Sequence, residues 1–164
     1  MSELAPLDPQ RIVTTLARHR VRYVLFGALA GRLRGLPRFA VKMEIAPAAE
    51  GANLVGVAGA LRELDAKVFV AGVPTGLPFD CTARSLSRSE TWKLVTAAGR
   101  IDLNFRPVGT EGYDDLARAA NRFDVFGVEL MVASLGDLIR TMEAADRPQD
   151  RQDVILMREV LKGG

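Results

Sequence analysis

The strongest constraint on the fold is a run of nine apolar residues and glycines from Tyr23 to Gly31. Its first part, together with the preceding residues 21 and 22, is mainly β-branched and aromatic, which predicts a buried strand over residues 21–26. Gly27 and Ala28 then turn the chain into a helix over residues 29–35. The run stops well short of the ~20 apolar residues that a membrane-spanning helix needs. We therefore expect a strand, a tight glycine turn and a helix, and no transmembrane segment.

The rest of the chain alternates between helical and extended patterns. Apolar residues at helical spacing predict helices over residues 9–18, 53–64, 134–145 and 149–161. Alternating and β-branched patterns predict strands over 39–45 and 67–70, hairpins over 92–105 and 122–132, and a loop over 71–80. With 48% hydrophobic and 26% charged residues, a chain of 164 residues can bury one core. We predict an α/β (α+β) fold with C-terminal helices, in a single domain over residues 1–164.

Two of these strands place charged side chains on one face. In residues 39–45 the alternation points Met43 and Ile45, with residue 41, one way and Lys42 and Glu44 the other way. In the second arm of the first hairpin, Asp102 shares the polar face with residue 104, while residues 101, 103 and 105 point inward. If the two strands are neighbours, they lie ~4.8 Å apart. Lys42, Glu44 and Asp102 would then meet beside the Gly27 turn.

Such a cluster has two interpretations. Paired carboxylates at the end of a glycine turn can hold Mg²⁺, which stabilises attacking and leaving oxygens during phosphoryl or nucleotidyl transfer. Lys42, however, contributes an ammonium rather than a third acid. The alternative is an ordinary cross-strand salt bridge with no chemistry.

Other catalytic patterns are weak in this sequence. The only histidine, His19, and the only cysteine, Cys81, leave no histidine-rich zinc site and no intrachain disulfide. The glycines at 27, 31 and 35 are not followed by Lys-Ser/Thr, so there is no P-loop of the usual pattern. Residues 1–15 lack a basic start followed by an apolar run, and no secretory signal is readable. We expect a reducing, cytoplasmic location.

Positive charge is concentrated in the first quarter of the chain. Residues 1–42 hold eight Lys or Arg against two acids, a net +6, whereas the remainder carries −4. This asymmetry is typical of attraction to phosphates, on a nucleotide or on RNA, with Arg32, Arg34 and Arg38 as candidates. The alternative is that these arginines only solvate helix ends and strand edges.

The order of several short segments resembles the minimal nucleotidyltransferases of the DNA polymerase β superfamily. These segments are residues 24–30, Gly35-x-Pro37-Arg38, residues 42–45 and residues 99–103. The later segments 133–140 and 143–150 are similar to the AbiEii-type toxins of bacterial toxin–antitoxin and abortive-infection systems. The resemblance spans about residues 20–155, most of the chain.

The resemblance implies a mixed sheet flanked by helices and a Gly-Gly or Gly-Ser turn on the nucleotide phosphates. It also implies an Asp-x-Asp pair and a third Asp that bind Mg²⁺ for transfer of a nucleoside monophosphate from an NTP, in some toxins to the acceptor end of tRNA. Matched by position, Gly27 and Ala28 fall on the turn, Lys42 and Glu44 on Asp-x-Asp, and Asp102 on the third Asp. Arg147 and Asp150 keep their places, but Met142 stands where these toxins carry a lysine.

The departures fall on the catalytic positions. An ammonium at Lys42 would repel a divalent cation by several kcal/mol at an effective dielectric constant of ~20. Three functions follow as hypotheses. The first is a degraded site that still binds nucleotide, RNA or a partner such as a cognate antitoxin. The second is a working Mg²⁺-dependent nucleotidyltransferase toxin that uses Glu44 and Asp102 as metal ligands and modifies RNA or protein. The third is an interaction module that binds no nucleotide.

Overall fold

The computed structural model describes residues 4–163, which form a mixed sheet flanked by helices. The helices are α1 Pro9–Arg18, α2 Gly27–Leu33, α3 Gly51–Glu63, α4 Ala83–Leu86, α5 Tyr113–Ala119, α6 Leu135–Ala145 and α7 Pro148–Gly163. The strands are β1 Tyr23–Phe26, β2 Lys42–Pro47, β3 Lys67–Val70, β4 Val73–Leu77, β5 Thr91–Thr96, β6 Gly99–Asn104, β7 Asn121–Val125 and β8 Val128–Val132. The predicted α/β fold is confirmed.

All eight strands belong to one sheet, in the order β4-β3-β5-β6-β2-β1-β8-β7. The pairs β2·β6 and β1·β8 are parallel, and the other neighbouring pairs are antiparallel. The two parallel pairs lie on either side of the antiparallel β1·β2 pair. As a result, the glycine turn after β1 lies next to β2, whose other neighbour is β6.

The core lies on the apolar face of the central strands. Met43 and Ile45 of β2 and Ile101 and Leu103 of β6 are all buried, as the alternation predicts. The amphipathic helix α3 packs on β2 and on α1, so these two helices cover that face. The opposite face of the same strands is therefore left to carry the polar side chains.

Local signals place several helices where the sequence predicts them. Asp8 caps α1 by accepting a hydrogen bond from the Arg11 backbone N–H at 3.1 Å, and Pro9 begins the helix. Ser134 caps α6 in the same way, through the Asp137 backbone N–H at 3.0 Å. Both hairpins are also confirmed, as β5–β6 and β7–β8.

Some expectations are wrong. The segment 71–80 was expected to be a loop, but Val73–Leu77 forms strand β4 against β3. Pro74 and Gly76 argue against a strand, yet both are tolerated because β4 is an edge strand.

Val41 is exposed instead of facing the core, because β2 begins only at Lys42. The short helices α4 and α5 were not predicted. Within residues 4–163, no helix combines the length and apolar composition needed to span a bilayer.

Candidate functional site

The polar cluster forms where the two strands and the glycine turn meet. In the parallel β2·β6 pair, Lys42 lies beside Arg100 and Glu44 beside Asp102. In the antiparallel β1·β2 pair, Phe26 lies beside Glu44, so the Gly27 turn follows directly. The predicted juxtaposition of these side chains on one face is confirmed.

Asp102 is held by two cations. Its Oδ2 atom is 2.7 Å from the Lys42 Nζ atom, and its Oδ1 atom is 2.8 Å from the Arg100 Nη2 atom. The Arg100 guanidinium also lies 3.9 Å from the centre of the Phe69 ring. The Asp102 side chain is only 9% exposed, so both contacts are largely shielded from water. Both carboxylate oxygens of Asp102 are therefore already occupied by the protein's own cations.

Glu44 sits against the glycine turn. Its Oε2 atom accepts a hydrogen bond from the Ala28 backbone N–H at 3.3 Å. Gly27 has a φ of +78°, and a Cβ atom at this position would lie 1.7 Å from the same Oε2 atom. The glycine is thus needed both for its backbone conformation and to admit the carboxylate. In this structure the turn contacts Glu44, whereas the resemblance implies a contact with phosphate.

The pKa of Glu44 is raised above its usual 4.5, mainly because burial disfavours the charged carboxylate. Asp102 raises this pKa further, while Lys42, the Ala28 N–H and Arg147 oppose the shift. Glu44 therefore combines a partly desolvated acid with nearby cations, an environment that is common at functional sites.

Replacing Glu44 with glutamine tests this pKa shift through stability. Above about pH 4.5 the folded protein keeps a proton on Glu44 that the unfolded chain has lost, so this group lowers the free energy of unfolding as the pH rises. We expect Glu44→Gln to gain stability relative to wild type as the pH rises above about 4.5. Urea unfolding across that range measures the difference. Glu50→Gln, at an exposed residue paired with Arg22, is the surface control. A Glu44→Gln difference that does not change with pH would contradict the shift.

The same residues can be tested for their fit to a magnesium ion. Mg²⁺ needs several oxygen ligands at near-ideal octahedral geometry. Each oxygen of Asp102 already accepts a hydrogen bond from a cationic side chain, and a metal ion between Asp102 and Glu44 would meet the Lys42 ammonium. Among residues 4–163, no group of three His, Cys, Asp or Glu side chains is placed to hold a metal ion. The residues present therefore do not fit Mg²⁺.

The cluster opens into a cleft of about 360 Å³ between the sheet, α6 and the start of α7. Of the residues singled out from the sequence, those that line it are Gly27, Ala28, Arg38, Lys42, Glu44, Met142, Arg147 and Asp150. Asp102 does not line the cleft but lies against Lys42, which does. Arg32 is exposed on α2 outside the cleft.

Two further ion pairs fix the wall formed by α7. Arg147 binds the buried Asp150 carboxylate with two contacts, Nε to Oδ2 at 2.7 Å and Nη2 to Oδ1 at 3.1 Å. This partner raises the pKa of Arg147, which also lies in the field of Glu44. Arg38, which lies between α2 and β2, forms an ion pair with Asp153 of α7. Met142, at the position where the toxins carry lysine, is buried and adds an apolar surface to the cleft.

Much of the basic character of residues 1–42 has a structural use. Arg34 donates to the Ala133 carbonyl at 2.7 Å and to the Asn121 side chain at 2.8 Å, which ties α2 to the chain around β7 and β8. Arg18 pairs with Glu63, and Arg22 with Glu50. The charge asymmetry is therefore a weaker sign of phosphate binding than the sequence indicates.

Comparison with solved structures shows which fold this chain resembles. The crystal structure of a "putative nucleotidyltransferase" from Thermotoga maritima superposes with a TM-score of 0.53 at 15% sequence identity, covering 98% of each chain. The chain has a nucleotidyltransferase-like fold. No model of a protein family matches the sequence, and no curated protein matches it significantly. The fold is thus shared over the full length, although few residues are identical.

Sequence reasoning missed part of the cleft. Phe39, Val41 and Val108 line its mouth, and Thr141 lines its polar part together with Asn104, which the alternation places on the polar face. Phe39 carried a signal, since an aromatic residue directly follows Arg38 in a segment assigned to the site. Val108 carried none, because the connection from residue 105 to 112 shows no pattern that would place it over the sheet.

Proposed function

We propose that this protein is a nucleotidyltransferase-fold protein whose cleft binds a nucleotide or RNA with little or no nucleotidyl transfer. The observation that carries the proposal is the 2.7 Å contact between the Lys42 ammonium and Asp102. By the resemblance, this is where the fold's enzymes place a divalent cation between carboxylates. A lysine there occupies the ligand oxygen and adds a like charge.

The size of the electrostatic effect supports the proposal that this is not an ordinary metal site. A unit positive charge about 4 Å from a divalent cation costs about 8 kcal/mol at an effective dielectric constant of ~20. Arg100, on the other oxygen of Asp102, adds to this repulsion. Lys42 and Arg100 already neutralise Asp102, which leaves Glu44 to attract the metal with one carboxylate against two nearby cations.

Binding of phosphates does not require the metal. Lys42 has three N–H donors, one of which contacts Asp102, and Arg147 keeps guanidinium donors beyond its two contacts with Asp150. Both side chains line the cleft, on the side of Glu44. They can donate to the oxygens of a phosphate while their acidic partners hold them in place.

Within this proposal, the AbiEii-type toxins are the family that the tail segments favour. The support is the order of Ser134, Asp137, Arg147 and Asp150 along the chain. In the structure Ser134 caps α6 next to Asp137, and Arg147 pairs with Asp150 beside the cleft. A toxin of this kind would act on RNA such as tRNA and would have a cognate antitoxin as its partner.

Calorimetry with NTPs, in the presence and absence of Mg²⁺, tests the proposal. We expect wild type to bind an NTP with a dissociation constant that Mg²⁺ changes by less than about 2-fold. Lys42→Asp restores an acid and removes the repulsion, so its NTP affinity should rise at least about 10-fold when Mg²⁺ is added. Lys162→Asp makes the same charge change on an exposed residue of α7 and should behave as wild type.

Two outcomes would contradict the proposal. Incorporation of labelled NTP into total tRNA by wild type, lost in Glu44→Gln, would show a working nucleotidyltransferase. No heat of binding with any NTP or RNA would leave the fold as an interaction module. Circular dichroism of each variant shows whether it retains the native fold.

A further inference from the structure

The mouth of the cleft has an apolar rim. Phe39, Val41 and Val108 are 81%, 65% and 58% exposed, and all three line the cleft that holds Lys42 and Glu44. Among the large apolar side chains of residues 4–163, Phe39 has the highest exposed fraction. Exposed aromatic residues grouped with other apolar residues at a cleft are typical of binding surfaces.

The fold holds this rim in place. On one side of Phe39, Arg38 is paired with Asp153 of α7, and on the other side Ala40 is buried. The turn that carries Val108 is closed by the Thr110 backbone N–H, which donates to the Pro107 carbonyl at 2.9 Å. Phe39 is therefore presented outward between two anchored neighbours, and its exposure does not come from a loosely attached loop.

The charges of the cleft indicate what such a rim is for. Each cation that lines the cleft has an acidic partner: Arg38 with Asp153, Lys42 with Asp102, and Arg147 with Asp150. Glu44 adds a further acid. Because the positive charges are balanced by acids, a bare phosphate is held only by hydrogen bonds from Lys42 and Arg147 and gains little from the field of the cleft. A ligand with an apolar, flat part gains more.

We propose that Phe39, with Val41 and Val108, is the platform on which a nucleobase stacks, and that the ligand of the cleft is a nucleoside phosphate. The base lies on Phe39, and the phosphates lie towards Lys42 and Arg147. Stacking on an aromatic ring accepts any base, so this platform favours nucleotides as a class without selecting one base. The inference rests on the proposed function, since it takes the cleft to be the nucleotide site.

Replacing Phe39 with alanine measures the stacking directly. A base–aromatic stack lost by alanine substitution corresponds to an affinity loss between about 5-fold and about 150-fold. We expect Phe39→Ala to lose ATP affinity within this range and to keep its affinity for inorganic tripolyphosphate, which has no base. Phe126→Ala removes another exposed phenylalanine, at the β7–β8 turn outside the cleft, and should bind both ligands as wild type.

Phe39→Trp supplies an independent signal. We expect ATP to quench the added tryptophan fluorescence, relative to wild type with its single Trp92, and tripolyphosphate to leave it unchanged. If wild type and Phe39→Ala bind ATP equally, or ATP does not quench Phe39→Trp, the inference is wrong while the proposed function stands. If wild type binds no nucleotide, the inference is wrong, and if it binds no RNA either, the proposed function is wrong as well. Equal unfolding midpoints for wild type and both variants show that the exposed site was changed without loss of fold.

Discussion

Replacing Asp102 with alanine is expected to lower the free energy of unfolding by about 3 kcal/mol, the low end of the cost of breaking a buried ion pair. The substitution leaves Lys42 and Arg100 facing each other without the carboxylate that both contact. Since the Asp102 side chain is 9% exposed, water enters poorly to solvate them. For a chain of this size, the loss corresponds to a fall of about 6–12 °C in Tm.

A surface pair provides the matched control. Asp65 contacts Lys67 at 3.1 Å, but its side chain is 76% exposed. We expect Asp65→Asn, which removes the charge but still tolerates the positive φ of 55° at this position, to cost between about 0 and 1 kcal/mol, as is usual for exposed pairs. Urea unfolding of both variants gives the comparison. Equal losses would mean that Asp102 is no better shielded than Asp65.

A double-mutant cycle assigns the loss to the proposed contact. In a Lys42→Met background, Asp102→Ala leaves only Arg100 without its carboxylate partner. The loss in the free energy of unfolding should therefore be smaller by about 1–2 kcal/mol. If the cost is unchanged, Lys42 and Asp102 do not interact, and Lys42 does not keep a metal ion from Asp102.

Gly27→Ala is expected to cost about 2–4 kcal/mol and to weaken binding in the cleft. The new Cβ atom would lie 1.7 Å from the Glu44 Oε2 atom, so the carboxylate must move and lose the Ala28 N–H. The positive φ of +78° adds about 1–2 kcal/mol for a residue with a side chain.

Gly127 separates the two contributions. It has nearly the same φ, +76°, but no atom lies within 4 Å of the position its Cβ would take. Gly127→Ala should therefore show the backbone cost alone, about 1–2 kcal/mol. Shortening the acid in Gly27→Ala/Glu44→Ala should bring the cost of the glycine substitution close to that of Gly127→Ala, because only the Cβ atom of residue 44, at 3.1 Å, then remains near the new methyl group. Equal costs for Gly27→Ala and Gly127→Ala in the wild-type background would show that Glu44 does not press on the turn.

The polar face could be predicted because a period of two determines where every second side chain points. This alternation predicts that one polar face carries Lys42, Glu44 and Asp102. The β5–β6 turn sets the register of the strand that carries Asp102. The same alternation predicts that Arg100, two residues before Asp102, lies on that face, where it contacts Asp102. This part of the site depends on local sequence.

The remaining part depends on contacts between distant segments. The pairing of Arg38 with Asp153 requires α7 to pack beside the start of β2, and no local pattern encodes that. Strand β4 was missed because the prediction weighed Pro74 and Gly76 without knowing that the strand lies at an edge. The rim residue Val108 reaches the cleft through an irregular connection.

The parallel pairing of β2 with β6 has a consequence for how the protein folds. Lys42 and Asp102 are 60 residues apart in sequence, and the intervening chain must be placed before the two strands can join. Closing so long a loop costs entropy that only later contacts repay, so we expect the cleft to be completed late in folding. A partly folded chain would have no complete cleft. Any small molecule that binds there therefore selects the finished sheet and protects it against unfolding.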